Sequence, residues 1–480
     1  MGNQPRVLAA AIAWTLLAFA PAAAQRTTTS ADTSVRARVD GIFAQWDRTD
    51  SPGCALGVYR DGSIEYARGY GMANLELGVA LSPQSVFDIG STSKQFTAMS
   101  VMLLERDGKL SLDDDIRTYI PELPDYGKTI TIRHILTHTS GIRDYLSLWA
   151  LAGVDDADLT TDQDALDLLA RQRELNFAPG EQWLYSNSGF FLASVIVQRV
   201  SGKTLAQFAA ERIFTPLGMT HTRFNDDHMA VIPNRATGYA PRERTAGWAT
   251  AMSNFEQTGD GGVQTSIEDM QRWDENFYTG NVGGAETIAA MQKTATLNDG
   301  KKQTYALGLM VDTYRGLHTV SHGGAWAGYR AELLRFPEQH FSVACLCNLA
   351  RTNPSQLARR VAELYLADKM TPAAEASLVA AGRLGAGAAT GGWAPTTTEL
   401  ARYAGRYESA ELEATYRLSV DNGRLILHRR RSEPVTLLPT SIDTFAAEGI
   451  SYRFVREKGR VTGFLVDAGR TKNLRFDVAK

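Results

Sequence analysis

The sequence predicts an α+β fold. An antiparallel sheet flanked by helices sits beside a helical lobe, and a small all-β barrel-like domain follows. Three observations carry this reading. Strand-like runs lie near both ends of the first 370 residues, with helical spacing between them. A Gly/Ala-rich stretch then interrupts the pattern. Beyond it, short alternating runs recur to the end of the chain.

Cys54–Tyr59 and Ile64–Tyr70 read as strands joined by a hairpin turn at Asp61-Gly62. After Ser91, the apolar residues Phe96, Met99, Leu103 and Leu104 recur mostly at steps of three and four, and Gly108 ends that helix. Ser111 to Trp273 carries further amphipathic segments, among them Asp164–Arg171 and Phe190–Val200. Strands return at Ala306–Tyr314, His318–Ser321, Glu332–Phe336 and Phe341–Asn348, and Pro354–Leu366 reads as a closing helix. A sheet built from both chain ends leaves a cleft against the helical lobe, where sites tend to lie.

Residues 371–398 read as a linker, with Ala380–Trp393 richest in Gly and Ala. Such a linker predicts few contacts across it. In residues 399–480 the runs Tyr416–Val420, Leu425–His428, Tyr452–Val455 and Val461–Val466, with turns at Asp421-Asn422-Gly423 and Glu457-Lys458-Gly459, suggest seven or eight strands. The aromatic residues of this module are expected in its core rather than as a ligand platform.

A chain of 480 residues exceeds what one core organises, and a net charge of −3 gives no global field for nucleic acid or anionic membrane. Arg6, the apolar run Val7–Ala20, Pro21 and Ala22-Ala23-Ala24 read as a secretory signal peptide over residues 1–24. The run is too short to span a bilayer, and no cysteine stands near the cleavage site to carry a lipid. The mature chain, with its main domain over residues 25–370, is expected outside the cytoplasm. A periplasm fits best, with secretion beyond it as the alternative. Three cysteines, Cys54, Cys345 and Cys347, are too few for a disulfide framework and are read as buried structural thiols.

Ser91-Thr92-Ser93-Lys94 opens the first strong helix and sets a hydroxyl and an amine on one face. A serine needs a base to become nucleophilic, and a lysine serves when burial lowers its pKa. Alone, this spacing turns up about once by chance in a chain of this length. Tyr185-Ser186-Asn187 adds a phenol able to shuttle protons and an amide able to orient the lysine or a carbonyl. His322-Gly323-Gly324 closes a strand, and its two glycines let a substrate backbone approach the strand edge. The N–H groups of Ser91 and Ala325 are the candidate oxyanion hole.

In this order, Ser-x-x-Lys, Tyr-x-Asn and His-Gly-Gly resemble the signature of the class C β-lactamase and D,D-peptidase family of serine hydrolases, part of the penicillin-recognising enzymes. The flanks Phe87–Thr97, Ile135–Gly141 and Gly259–Val263, with Asp269, Met270 and Trp273, agree, and the resemblance covers Asp40 to Asp368. It implies Ser91 as nucleophile, Lys94 and Tyr185 as its base pair, and Asn187, His322, Gly323, Gly324, Ala325 and Arg330 as oxyanion and substrate-binding residues. No cofactor or metal is implied. The C-terminal module resembles the lipocalin-like domains of some D-aminopeptidases and esterases.

The chain departs from class C β-lactamases by having His322 where they have lysine and Ser186 where they have alanine. A neutral imidazole attracts a substrate carboxylate less than an ammonium does. The expected activity is therefore hydrolysis of D-amino-acid peptides, peptidoglycan fragments or small esters. A class C-type β-lactamase and a catalytically silent penicillin or wall-fragment binding protein are the alternatives. The expected partner is a small-molecule or peptide substrate, with no nucleic acid and no stable membrane anchor; the oligomeric state stays open. His134 and His138 are spaced as a metal pair but are expected to be structural. Arg143, like Arg330, is weighed between a structural role and a substrate carboxylate. The family topology sets Cys54 beside the strand of Cys345 and Cys347, and free thiols are expected because directly paired strands rarely suit a disulfide.

Overall fold

The structure, a computed structural model, describes Gly2, residues 30–372 and residues 393–479. The expected signal peptide, Gly2 aside, and residues 373–392 of the expected linker lie outside these.

Six antiparallel strands form the main sheet, in the order Met310–Tyr314, Leu317–Trp326, Tyr329–Phe336, Phe341–Cys347, Cys54–Arg60 and Ser63–Tyr70. The N-terminal hairpin thus completes a sheet begun by the late strands, as its sequence position suggested. Cys54–Arg60 is buried on both faces, so apolar side chains alternate into two cores. Leu56 and Val58 meet Val39 and Phe43 of the helix Ser30–Phe43 and Val361 of the helix Pro354–Leu366. Ala55 and Tyr59 face the larger core of the helical lobe, where the Tyr59 hydroxyl donates to Ile267 O at 2.6 Å. At the centre of that lobe runs the helix Lys94–Arg106, with every residue from Lys94 to Leu104 buried.

Two late strands differ from the sequence reading. The first starts at Met310 rather than Ala306, because Gly308 turns the chain at φ +72°. The next continues to Trp326 instead of ending at Ser321, because its ladder with Tyr329–Phe336 runs from Val320 to Trp326, and the glycines at 323 and 324 mark where another backbone packs closely.

The thiol expectation is corrected. Cys54 is disulfide-bonded to Cys347, and only Cys345 remains a free, buried thiol among the described residues. The reason lies in the ladder. Asn348 N–H donates to Gly53 O at 3.0 Å, which makes 53 and 348 the hydrogen-bonded pair. Cys54 and Cys347, the next partners, therefore occupy the closer non-hydrogen-bonded position. Cys345 lies opposite Leu56 and Glu332 and has no cysteine partner across either ladder.

The C-terminal module is a closed barrel of eight antiparallel strands between Gly405 and Val478. Its interior is packed with aromatic side chains, including Tyr416, Phe464 and Phe476, whose rings stack at centroid distances of 4.3 to 6.4 Å. The expectation of few contacts between the two parts fails. The barrel sits on the helical lobe around a buried cation: Arg143 Nη1 donates to Glu411 Oε2 at 2.6 Å and Gln172 Oε1 at 3.0 Å. Its other nitrogens donate to Lys472 O and Asn473 O at 3.0 and 3.1 Å. Tyr416 also reaches across, donating to Leu151 O at 2.7 Å. A Gly/Ala linker says nothing about the faces it connects, so composition could not reveal this docking.

Breaking a buried ion pair from one side strands the other charge, at a cost of about 3–5 kcal/mol. Glu411→Ala should lose stability on that order in equilibrium denaturation. The double change Arg143→Met with Glu411→Leu should lose clearly less. Equal losses in both would mean that shape, rather than charge, holds the barrel in place.

Candidate active site

Asp88 organises the turn before the buried helix. Its Oδ1 accepts from Gly90 N–H at 2.7 Å and its Oδ2 from Gln264 Nε2 at 3.2 Å. Burial pushes the Asp88 carboxyl up to about 7. Gly90 adopts φ +48° and begins a short 3-10 turn, Gly90–Ser93, that leads into the helix Lys94–Arg106. Ser91 is left partly exposed in the cleft while Lys94, one turn on, is fully buried.

Three oxygens surround the Lys94 amine. Nζ lies 3.0 Å from Ser91 Oγ, 2.9 Å from Asn187 Oδ1 and 2.6 Å from Asp260 O. The last two are carbonyl oxygens and can only accept. A neutral amine has two hydrogens and a lone pair; in that form, with its hydrogens on these carbonyls, its lone pair is left for the Ser91 hydroxyl. Burial, the largest influence, drives Lys94 below the ordinary lysine range. The Asp260 and Asp144 carboxylates oppose that shift, and Arg470 adds to it.

Each acceptor is held in turn. Asp144 N-caps the helix Tyr145–Ala152, and its Oδ2 accepts from Asn187 N–H at 2.6 Å. The Tyr145 hydroxyl donates to both Asp260 carboxylate oxygens at 3.1 and 3.2 Å. Tyr185 precedes the helix Asn187–Ser201, and its ring centre lies 4.9 Å from Lys94 Nζ. Burial pushes the Tyr185 phenol up, while the Ser91 hydroxyl and then Arg470 pull it back in part. The phenol is therefore protonated at neutral pH and acts first as a donor. His138 packs 4.2 Å from the Tyr185 ring and accepts Ser186 N–H at Nδ1. His134 Nδ1 instead accepts Thr131 N–H in a capping box. The two histidines thus serve separate local structures.

His322 does not present itself to a substrate as the sequence suggested. Its Nδ1 lies 2.6 Å from Gly323 O and its Nε2 2.9 Å from the Tyr305 hydroxyl. A neutral ring satisfies both contacts, donating from Nδ1 and accepting at Nε2. Burial first and Lys94 second lower His322 to about 3, so it offers no cation at neutral pH. It forms part of the cleft wall, with both nitrogens already engaged.

The partner strand Met310–Tyr314 ends opposite Ser321, so His322–Trp326 runs on with one edge towards the cleft. This edge lies against the serine turn at very short range. A Cβ at Gly324 would stand 1.8 Å from Ile89 O, and one at Gly90 would stand 2.7 Å from Ala325 N. Two missing side chains thus bring the Ala325 amide beside Ser91. Arg330 also lines the cleft, but its Nη1 donates to Ala327 O and Tyr329 O at 3.0 and 2.6 Å. Arg143, the other carboxylate candidate, is committed to the barrel.

The cleft has a volume of about 600 Å³ and holds Ser91, Tyr185, Asn187, Gly324 and Ala325. The sequence reading missed Tyr305 and Arg470, and gave no role to Asp144 and Tyr145, which lie in the block Gly141–Tyr145 that resembles D-aminopeptidase-type relatives. Asp260 lay within a block already singled out, Gly259–Val263, but carried no assigned role. Nothing in the local sequence marks Tyr305 or Arg470.

Residues 35–368 match the family described as Beta-lactamase, and the chain belongs to that family. It is 31% identical to penicillin-binding protein 4* of Bacillus subtilis over 301 residues, 60% of this chain and 66% of that protein. It is 28% identical to a D-aminopeptidase of Brucella anthropi over 298 residues, 62% of this chain and 56% of that protein. The match thus spans under two thirds of either relative. A solved structure, the octameric penicillin-binding protein homologue from Pyrococcus abyssi, superposes with a TM-score of 0.62 at 22% identity, covering 92% of this chain and 99% of that one. At that identity the likeness concerns the fold.

Gly324→Ala tests the close approach. The added methyl must push the strand off Ile89, taking the Ala325 amide with it. Loss of one oxyanion donor costs about 10²–10³ in kcat. The expected result is a fall of that size on any ester the protein cleaves, with the near-UV circular dichroism retained. An unchanged kcat would remove Ala325 from the oxyanion hole.

Proposed function

We propose that this protein is an exported serine hydrolase that cleaves amide or ester bonds through an acyl-enzyme on Ser91. Its expected substrates are D-amino-acid peptides, peptidoglycan fragments or small esters. One observation carries the reading: the buried Lys94 amine lies 3.0 Å from Ser91 Oγ, with Asn187 Oδ1 and Asp260 O placed to take its hydrogens when it is neutral. The D-aminopeptidase relative supports the substrate class. The Cys54–Cys347 bond suits an oxidising compartment. No helix among the described residues is long and apolar enough to cross a membrane.

In the proposed reaction Ser91 Oγ bonds to the substrate carbonyl carbon as its proton passes to Lys94 Nζ. The N–H groups of Ser91 and Ala325 receive the oxyanion. As the intermediate collapses, the leaving nitrogen or oxygen takes a proton from the Tyr185 hydroxyl, which Lys94 then reprotonates. In the second half a water loses a proton to the same pair and attacks the ester carbon; the bond to Ser91 Oγ breaks as the pair returns that proton to it, freeing the acid product and the serine. Because the phenol rests protonated, Lys94 is the resting base and Tyr185 the relay.

Penicillin-type substrates carry a carboxylate beside the scissile amide. The neutral His322 gives it no cation, which favours amide and ester turnover over β-lactam turnover. Ser91→Ala should abolish turnover while the melting transition is retained. In the native protein, nitrocefin should be cleaved more slowly than the best amide or ester. Efficient nitrocefin hydrolysis would promote a β-lactamase reading, and full activity in Ser91→Ala would sink the nucleophile.

The pH profile provides a second check. The reaction needs neutral Lys94, so kcat/KM should fall on the acid side as the amine gains a proton. The Asp260 carboxylate favours that proton. Removing its charge with Asp260→Asn should therefore move the acid limb to lower pH. A limb that stays in place or rises would assign it to another group.

A further inference from the structure

Arg470 reaches the cleft from the barrel, in the turn between the strands Arg460–Ala468 and Thr471–Val478. The turn is pinned from the lobe. Arg470 O accepts from Asn176 Nδ2 at 2.9 Å, and Asn176 Oδ1 accepts from Lys472 N–H at 2.8 Å. Asp144 N–H also points to Arg470 O, at 3.4 Å. The backbone is thereby fixed on both sides, and the side chain is delivered over the Tyr185 ring, with its guanidinium carbon 4.5 Å from the ring centre.

What the guanidinium does not do is equally telling. Its one ion-pair contact among the described residues is Asp144 Oδ2 at 3.9 Å, beyond hydrogen-bond length. That oxygen already accepts Asn187 N–H. The other arginines lining the cleft are differently placed: Arg330 is turned to backbone carbonyls, and Arg235 acts on the buried Asp88. Arg470, with its side chain 44% exposed, faces the cleft with its five N–H donors largely unspent. A guanidinium fork of this kind matches a carboxylate in two-pronged geometry.

Resting on the proposed acyl-enzyme reading, we infer that Arg470 is a specificity-determining residue that binds a carboxylate carried by the leaving group of the substrate. The side of the cleft follows from Tyr185. The phenol protonates the leaving atom, so a cation stacked on its ring stands beside the departing group. The favoured substrates are peptides or depsipeptides whose released half is an α-amino or α-hydroxy acid with a free carboxylate. This cation comes from the barrel and lies over Tyr185, so it does not stand where His322 stands in the third sequence motif.

The test uses full-length protein and two matched depsipeptides, an N-acyl-D-alanyl ester of D-lactate and the same compound with its carboxylate converted to the amide. The native protein should prefer the carboxylate form. Arg470→Ala should lower the carboxylate-to-amide ratio of kcat/KM about tenfold or more, as expected for a lost charged hydrogen bond. Arg470→Lys should keep part of it. In the Ser91→Ala background, where no chemistry occurs, Arg470→Ala should weaken calorimetric binding of the carboxylate probe by a similar factor. An unchanged ratio with unchanged binding overturns the inference while leaving the acyl-enzyme intact. Equal losses on both probes, with a displaced alkaline limb of the pH profile, also overturn it and assign Arg470 to Tyr185 instead. Carboxylate-selective binding without fluorophosphonate labelling of native Ser91 supports the Arg470 subsite and refutes the acyl-enzyme.

Discussion

A single buried amine sets the terms for the cleft. Lys94 has no exposed surface, yet it must find partners for every hydrogen it carries. The structure meets that demand with one side-chain amide and one backbone carbonyl, and it sets the Ser91 hydroxyl against the same nitrogen. Those partners must then be fixed, and two further groups do so: Asp144 through the backbone of Asn187, and Tyr145 through the carboxylate of Asp260. Burial favours the neutral amine and the nearby carboxylates favour the charged one. The amine is held where a modest change in its surroundings alters its protonation, the condition a general base requires.

The same logic explains why the serine turn and the sheet edge meet without side chains. An oxyanion hole needs two amides from separate parts of the chain within reach of one oxygen. The Gly324 position, where a methyl would overlap Ile89 O, and the Gly90 position, where one would press on Ala325 N, allow that approach. In the sequence His322-Gly323-Gly324 reads as a strand ending. In the fold it is a strand continuing, stripped of side chains where the helix start lies against it.

Most of the architecture was legible because it rests on local periodicity. The hairpin at Asp61-Gly62, the helix Pro354–Leu366 and the alternation beyond residue 400 each follow from neighbours in sequence. Ser91, Lys94, Tyr185 and Asn187 were legible as a spaced set, and the fold brings them together. What escaped depends on contacts between distant segments. The Cys54–Cys347 pairing is set by a register that places both residues at a close, non-hydrogen-bonded position, and spacing cannot reveal register. The role of His322 changed because Tyr305, seventeen residues away, occupies its outer nitrogen. Arg143 reads as structural before carboxylate-binding, and it is structural, but its partner Glu411 lies in the barrel, beyond anything spacing could show.

The barrel is where these strands of argument converge. A module joined by a Gly/Ala-rich connection looks like an appendage, and truncating it looks harmless. Its docking instead buries Arg143 against Glu411 and pins the Gly469-Arg470 turn through Asn176. The first contact sets the barrel on the lobe, and the second sets the reach of one side chain into the cleft. Arg470 then acts on both members of the proposed base pair, disfavouring protonated Lys94 and favouring ionised Tyr185. A cation delivered by a second domain can be altered without disturbing the nucleophile, the amine or the oxyanion amides, all of which belong to the first. Chemistry and selectivity are thereby carried by different domains, and the docking interface couples them.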